Sequence, residues 1–140
     1  MQLSIRNRFP ATVEAVTSGP AMTAVSVRLD GGQRITAAIT SEAAEDLGLH
    51  ADQAVEILIK STEISVALDT VGRVSIRNLL PGTITAVNHG EAMSTVKIAI
   101  AGDDMLTAAI TRESADDLGL EPGTTVTAMI KSTDVAVGVA

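Results

Sequence analysis

Apolar and polar residues alternate in short runs through the first half of the chain. The runs are Leu3-Ser4-Ile5, Val25-Ser26-Val27-Arg28-Leu29, Ile35-Thr36-Ala37-Ala38-Ile39, Val55-Glu56-Ile57-Leu58-Ile59 and Ile64-Ser65-Val66-Ala67-Leu68. A period of two, rich in β-branched residues, predicts strands with one face in a core and the other in water. Thr12 to Val16 continues the first strand beyond a bend expected at Pro10, and Ser18-Gly19-Pro20 and Asp30-Gly31-Gly32 mark turns. One segment, Thr40 to Leu49, breaks the alternation. Its Thr is a good helix N-cap, acidic residues follow in the first turn, and Gly48 suits the left-handed position past a helix end. The predicted order is three strands, a short helix, then two strands.

That order occurs twice. Residues 3–69 overlie 74–140 at a constant offset of 71 with no gap, and roughly 30 of about 67 positions are identical, which marks a duplicated small domain. Identities gather in Ser4-Ile5-Arg6-Asn7 and Ser75-Ile76-Arg77-Asn78, in the Gly-x-Ala-Met segments at Gly19 and Gly90, in the Thr-Ala-Ala-Ile-Thr runs ending at Thr40 and Thr111, and in Ile-Lys-Ser-Thr at Ile59 and Ile130. The expected organisation is a first lobe at 1–69, a linker at 70–73 and a second lobe at 74–140. Each lobe is all-β with one short helix, so the chain reads as two tandem five-stranded Greek-key barrels of the OB type. Lobes of this size have marginal cores and the linker is short, so they are expected to pack together about a pseudo-twofold axis.

Composition narrows the function. The hydrophobic fraction is 46% but the aromatic fraction is 1%, with Phe9 its sole member, so the chain lacks platforms for stacking bases. A net charge of -7 with only 10 basic residues argues against nucleic acid as a partner. The absence of Cys excludes disulfides, thiolate catalysis and thiolate metal sites. The N-terminal stretch has no apolar signal core and no apolar run is long enough to span a bilayer, so the expectation is a cytoplasmic protein with no membrane partner.

Enzyme constellations do not assemble. His50 and His89 fall at unmatched positions and read as exposed loop residues, and the repeated acids Glu42/Glu113 and Asp46/Asp117 read as a solvated helix face. What recurs is a set of hydrogen-bond donors: Ser4, Arg6, Asn7, Thr40, Lys60 and Ser61, with Ser75, Arg77, Asn78, Thr111, Lys131 and Ser132. A tetrahedral oxyanion offers only acceptors, so its site needs this inventory, and a helix start can add backbone N–H groups. Structural roles stand beside this reading. Arg6 and Arg77 could pair with Glu42 or Glu113, Thr40 and Thr111 could be caps alone, and Lys60 and Lys131 could be strand residues with solvated tips.

These motifs resemble the molbindins, small proteins built from Mop domains that bind molybdate and tungstate. The resemblance covers nearly the whole chain twice. It rests on S-x-R-N, on G-x-A-M-[ST]-x-V at Gly19 to Val25 and Gly90 to Val96, on A-x-I-T followed by a helix ending L-G-L, and on K-[AS]-x-x-[IV] at Lys60 to Ile64 and Lys131 to Val135. It implies a non-enzymatic, cofactor-free protein of intracellular molybdenum homeostasis, assembled as a homotrimer of six Mop domains. The molybdenum would be held as an intact oxyanion at domain interfaces, with no metal ligated directly by protein. Ser and Arg of S-x-R-N from one domain would face the Thr and Lys elements of another. The family often has a Ser three residues after that Thr; Ser114 keeps it and Ala43 does not, so sites using the first helix start are expected to lack one hydroxyl donor. A second class of site is expected near the Gly19 and Gly90 loops. The competing expectation is a structural oligomerisation module with no small ligand.

Overall fold

The computed structural model describes residues 2–140. Its strands are β1 (Asn7–Ser18), β2 (Met22–Leu29), β3 (Arg34–Thr40), β4 (Ala54–Ile59), β5 (Ser65–Leu68), β6 (Asn78–His89), β7 (Met93–Ala99), β8 (Met105–Thr111), β9 (Thr125–Ile130) and β10 (Val135–Gly138), with helices α1 (Ser41–Asp46) and α2 (Arg112–Leu118). Period-two burial runs through them: in β2, Thr23, Val25, Val27 and Leu29 are buried while the residues between face outward. Phe9 sits in the core, 6% exposed, where the second half has Leu80.

The strands form two antiparallel five-stranded sheets, ordered β10-β4-β1-β2-β3 and β5-β9-β6-β7-β8. The two halves exchange their last strands. β5 pairs with β9, with Ser65 opposite Met129, and β10 pairs with β4, with Val135 opposite Ile59. Five strands per sheet match the expectation of a five-stranded barrel, but each fifth strand comes from the other repeat. The cause is local. After β4 the chain enters a 3-10 turn, Ser61–Glu63, that packs on β8 of the other half; the matching turn, Ser132–Asp134, packs on β3. Each turn carries the chain across to the neighbouring sheet, and buried Ile64 and Val135 lead into the exchanged strands. β10 then lies against β3 and β5 against β8, so each sheet curls until its edges meet.

Two local expectations differ from the structure. Leu3-Ser4-Ile5 forms no strand; β1 begins at Asn7. The bend is not at Pro10, which pairs opposite Glu56 inside β1. Its ring is tolerated because the ladder to β2 begins one residue later, at Ala11, while the Pro10 carbonyl accepts from Asp30 N–H at 3.1 Å. The irregularity falls instead at Glu14, where the register shifts between Val13 and Ala15, and at Thr85 in the second half. Outward-turned Glu14 holds both Arg28 (3.1 Å) and Arg34 (3.2 Å). The helices end as predicted, with Gly48 and Gly119 at φ 61° and 62°.

Candidate oxyanion site

The Ser-x-Arg segment, in no strand of its own, lies in a groove of about 220 Å³ lined by Ser4, Ile5, Arg6, Lys60, Ser61 and Thr62. Two of the repeated blocks, some 55 residues apart in sequence, therefore meet because Asn7 at the start of β1 pairs opposite Ile59 at the end of β4. Lys60 is not a strand residue; it precedes the 3-10 turn, which swings Ser61 and Thr62 into the same groove. Arg6 turns back on its own segment, Nε donating to the Ser4 carbonyl (3.2 Å) and Nη2 to the Leu3 carbonyl (3.1 Å). A guanidinium has five N–H donors, so this anchoring leaves others for a ligand. Arg77 donates likewise to the Val74 carbonyl (3.4 Å). Among the described residues the ion pairs are Arg8–Glu56, Arg28–Glu14, Arg34–Glu14 and Arg112–Asp116. The competing pairing of Arg6 or Arg77 with Glu42 or Glu113 is not among them.

The Asn residues behave differently from their Ser and Arg neighbours. Asn7 and Asn78 are 2% and 3% exposed. Asn7 Nδ2 donates to the carbonyls of Ile59 (3.0 Å) and Thr107 (2.9 Å), and its Oδ1 accepts from Thr107 N–H (2.7 Å). Asn78 does the same to Thr36, accepting its N–H at 2.8 Å and donating to its carbonyl at 2.9 Å. Thr107 and Thr36 lie on β8 and β3, which have a ladder partner on one side only. In the second half, Ser132 Oγ is shielded from solvent with no hydrogen-bond partner among the described residues, a condition an external hydrogen-bonding group would relieve.

The helix starts line a second pair of grooves. One, of about 400 Å³, lies between β5 and β8 and is bounded by Thr62, Ser65, Met93, Thr111, Ser114 and Leu118, among others. Its counterpart between β10 and β3, about 440 Å³, includes Met22, Thr40, Ala43 and Thr133. Thr62 lines both the Ser-x-Arg groove and the Thr111 groove, so one turn joins the donors of one half to the helix start of the other. Within this chain, Ser4 and Arg6 share their groove with Lys60 and Ser61 of the same half, and it is Thr111 and Ser114 that come from the other. Thr62 and Thr133 line these grooves without belonging to the donor set read from the sequence, although both sit inside the repeated Ile-Lys-Ser-Thr block.

Both helix starts are capped by their own Thr: Thr40 Oγ1 accepts from Ala43 N–H and Thr111 Oγ1 from Ser114 N–H, each at 3.1 Å. That uses one backbone donor of each first turn, and the helices have six and seven residues. The Ala43 difference also changes meaning. Thr111 O–H donates to Ser114 Oγ (2.8 Å), so the pair presents one free hydroxyl hydrogen, on Ser114. Thr40, with Ala43 beside it, keeps its own hydroxyl hydrogen. The expected loss of a donor is therefore a relocation, from one side chain to another. Arg112, where the first half has Ser41, reaches the Gly90 carbonyl (3.2 Å) as Ser41 Oγ reaches the Gly19 carbonyl (2.7 Å). His50 and His89 are exposed, His50 Nδ1 lying 2.9 Å from the Ala51 carbonyl and His89 Nδ1 2.8 Å from Ser94 Oγ. Among the described residues no group of His, Cys, Asp or Glu is placed to hold a metal ion, and no helix is long and apolar enough to cross a membrane.

Comparison with known proteins agrees with this architecture. The family model of the TOBE domain matches residues 3–66 and 74–137. Molybdenum transport protein ModE of Herbaspirillum seropedicae is 36% identical over 140 residues, covering 99% of this chain and 52% of that protein. Molybdenum-pterin-binding protein MopA of Rhodobacter capsulatus is 35% identical over 136 residues, 96% of this chain and 51% of that protein. The chain thus spans about half the length of these curated relatives. Among solved structures, the cytoplasmic molybdate-binding protein ModG with molybdate bound superposes with a TM-score of 0.97 at 34% identity over the whole of both chains.

Proposed function

The chain belongs to the TOBE-domain family, with one copy of the domain in each half, and from that premise we propose that it binds molybdate, and tungstate with it, as the intact dianion. The carrying observation is the groove that brings Ser4, Arg6, Lys60 and Ser61 together with no ion pair to Arg6 or Lys60 among the described residues. A buried or half-buried anion needs charge-assisted donors and no competing carboxylate, and these side chains supply them. The matching set is Ser75, Arg77, Lys131 and Ser132, with hydroxyls from Thr111 and Ser114, or from Thr40, at the adjoining grooves.

No bond is broken. Ligand exchange is reversible, consistent with a role in holding molybdenum in the cytoplasm. A net charge of -7 repels a dianion at long range, so affinity arises from short contacts in the groove. Donors spaced for a large tetrahedral anion are badly placed for sulfate. The assembly proposed is a homotrimer. The number of copies is what the resemblance to the molbindins implies; contact between copies is supported by a pair of exposed methionines at matched positions, Met22 (46% exposed) and Met93 (44%), each beside a helix-start groove, where such contact would bury them.

Isothermal titration of the purified chain with molybdate, tungstate and sulfate tests the reading. Saturable heat is expected with the first two and little with sulfate. No heat with any of the three would favour a structural oligomerisation module instead.

A further inference from the structure

We infer that Asn7 and Asn78 are positioning residues for the oxyanion site and not its ligands, each fastening the Ser-x-Arg segment of its own half to a strand edge in the other half. The inference rests on the oxyanion reading above. Its structural basis at Asn7 is a count of donors; at Asn78, 3% exposed, it is that burial and the paired bonds to Thr36. A side-chain amide has two N–H groups, and Asn7 uses both, one on the Ile59 carbonyl and one on the Thr107 carbonyl, at 3.0 and 2.9 Å. Nothing remains to donate to an anion, and the Oδ1 that accepts from Thr107 N–H would repel one.

The amide instead does what a neighbouring strand would do. Thr107 is ladder-paired with Lys97 of β7 on one side, and its N–H and C=O on the other side meet the Asn7 amide. Thr36, paired with Ser26 of β2, meets Asn78 in the same way. A primary amide presents a donor and an acceptor side by side, as a peptide group does, so Asn closes an edge that would otherwise be open. Asn7 and Asn78 are also the first residues of β1 and β6. The Ser and Arg before them have no ladder of their own; together with the pairing of Asn7 opposite Ile59, this clasp fixes the start of the segment and so holds Ser4 and Arg6 in their groove. At 3.5 Å, the outer limit of a hydrogen bond, Asn7 Nδ2 also faces Ser61 Oγ. A hydroxyl approached by a donor on its oxygen keeps its hydrogen for the groove.

The test compares the full-length parent with Asn7→Ala, Asn78→Ala and Arg6→Ala. Amide hydrogen exchange in ligand-free protein reads the clasp, and titration with sodium molybdate and sodium sulfate reads the site. Asn7→Ala should speed exchange at Thr107, and Asn78→Ala at Thr36, by at least about tenfold, and each should weaken molybdate binding about tenfold while lowering the ratio of molybdate to sulfate affinity. Arg6→Ala should weaken binding with Thr107 protection intact. Asn7→Gln keeps both amide functions one methylene further out, and covers the case in which the Ala variants fail to fold; it should also lose discrimination. Parental affinity and ratio in the Asn variants would overturn the positioning role. Weakened binding with unchanged Thr107 and Thr36 protection would make the Asn residues ligands after all. A parent that binds no molybdate overturns the oxyanion reading itself, and the positioning role falls with it.

Discussion

Arg6 and Arg77 show how an exposed cation can be readied for an anion. Each guanidinium is steadied by backbone carbonyls two or three residues away, so part of its rotamer entropy is already spent before a ligand arrives. A hydrogen bond to a charged group contributes about 1.5–3 kcal/mol, and for exposed residues the lower end applies, so Arg6→Ala and Arg77→Ala should each weaken molybdate binding by about tenfold. Melting temperature should stay near that of the parent, which calorimetry of the same samples would check. Ala43→Ser is expected to do far less. A serine there should draw in the Thr40 hydroxyl as Ser114 draws in that of Thr111, leaving the number of free hydroxyl donors unchanged. Titration should find a change in affinity of less than about threefold, well below the cost of one lost hydrogen bond to a charged ligand.

The repeat made the Ser, Arg, Lys and Thr positions legible, because identity between two copies reports that a position is constrained. It does not report the kind of constraint. Asn7 and Asn78 are as invariant between the halves as Arg6 and Arg77, yet their amides go to backbone across the lobe boundary. Nothing local to S-I-R-N separates the two roles; burial does, and burial depends on which strand edge lies opposite.

At the scale of elements, period-two alternation and the Thr and Gly signals located strands and helices to within a few residues. Strand exchange could not be read from them. β5 and β10 derive from equivalent segments, and β4 and β9 offer nearly equivalent edges, so the local pattern fits either pairing. The choice is made by the 3-10 turns, Ser61–Glu63 and Ser132–Asp134, which lie between the two predicted strands and carry no periodicity of their own. Core packing also distinguishes the copies. A Cβ built on Gly82 would stand 2.6 Å from both the Ala99 carbonyl oxygen and Ile98 Cγ2, whereas the equivalent position in the first half accommodates Ala11, 3% exposed. Gly82→Ala should therefore cost about 1–3 kcal/mol through overpacking, although removing glycine lowers the entropy of the unfolded chain and offsets part of that cost. Urea denaturation would show this as a lower midpoint with an unchanged slope.

For the molecule as a whole, exchange means that neither half contains a complete sheet. A chain ending after residue 72 keeps β1 to β5, but its β4 lacks β10 and its β5 lacks β9. It should pair with a second copy by reciprocal exchange, or remain largely unfolded when dilute. Light scattering should then give twice the chain mass, with a melting temperature that rises with protein concentration; the parent should lack the component of that dependence due to pairing of its two halves. A compact monomeric half with a concentration-independent transition would contradict the exchanged topology.

Covalent tethering of the exchanging partners has a further consequence. With nine residues between β5 and β6, each half meets the other at an effective concentration on the order of millimolar, whatever the protein's abundance. Two free copies of one domain must remain self-complementary, since each is its own partner. Two tethered copies need only fit each other. That freedom is visible in the grooves between the halves, where one carries Ala43 and the other Ser114: the partner is fixed by the chain, so its two sides can diverge without losing one another.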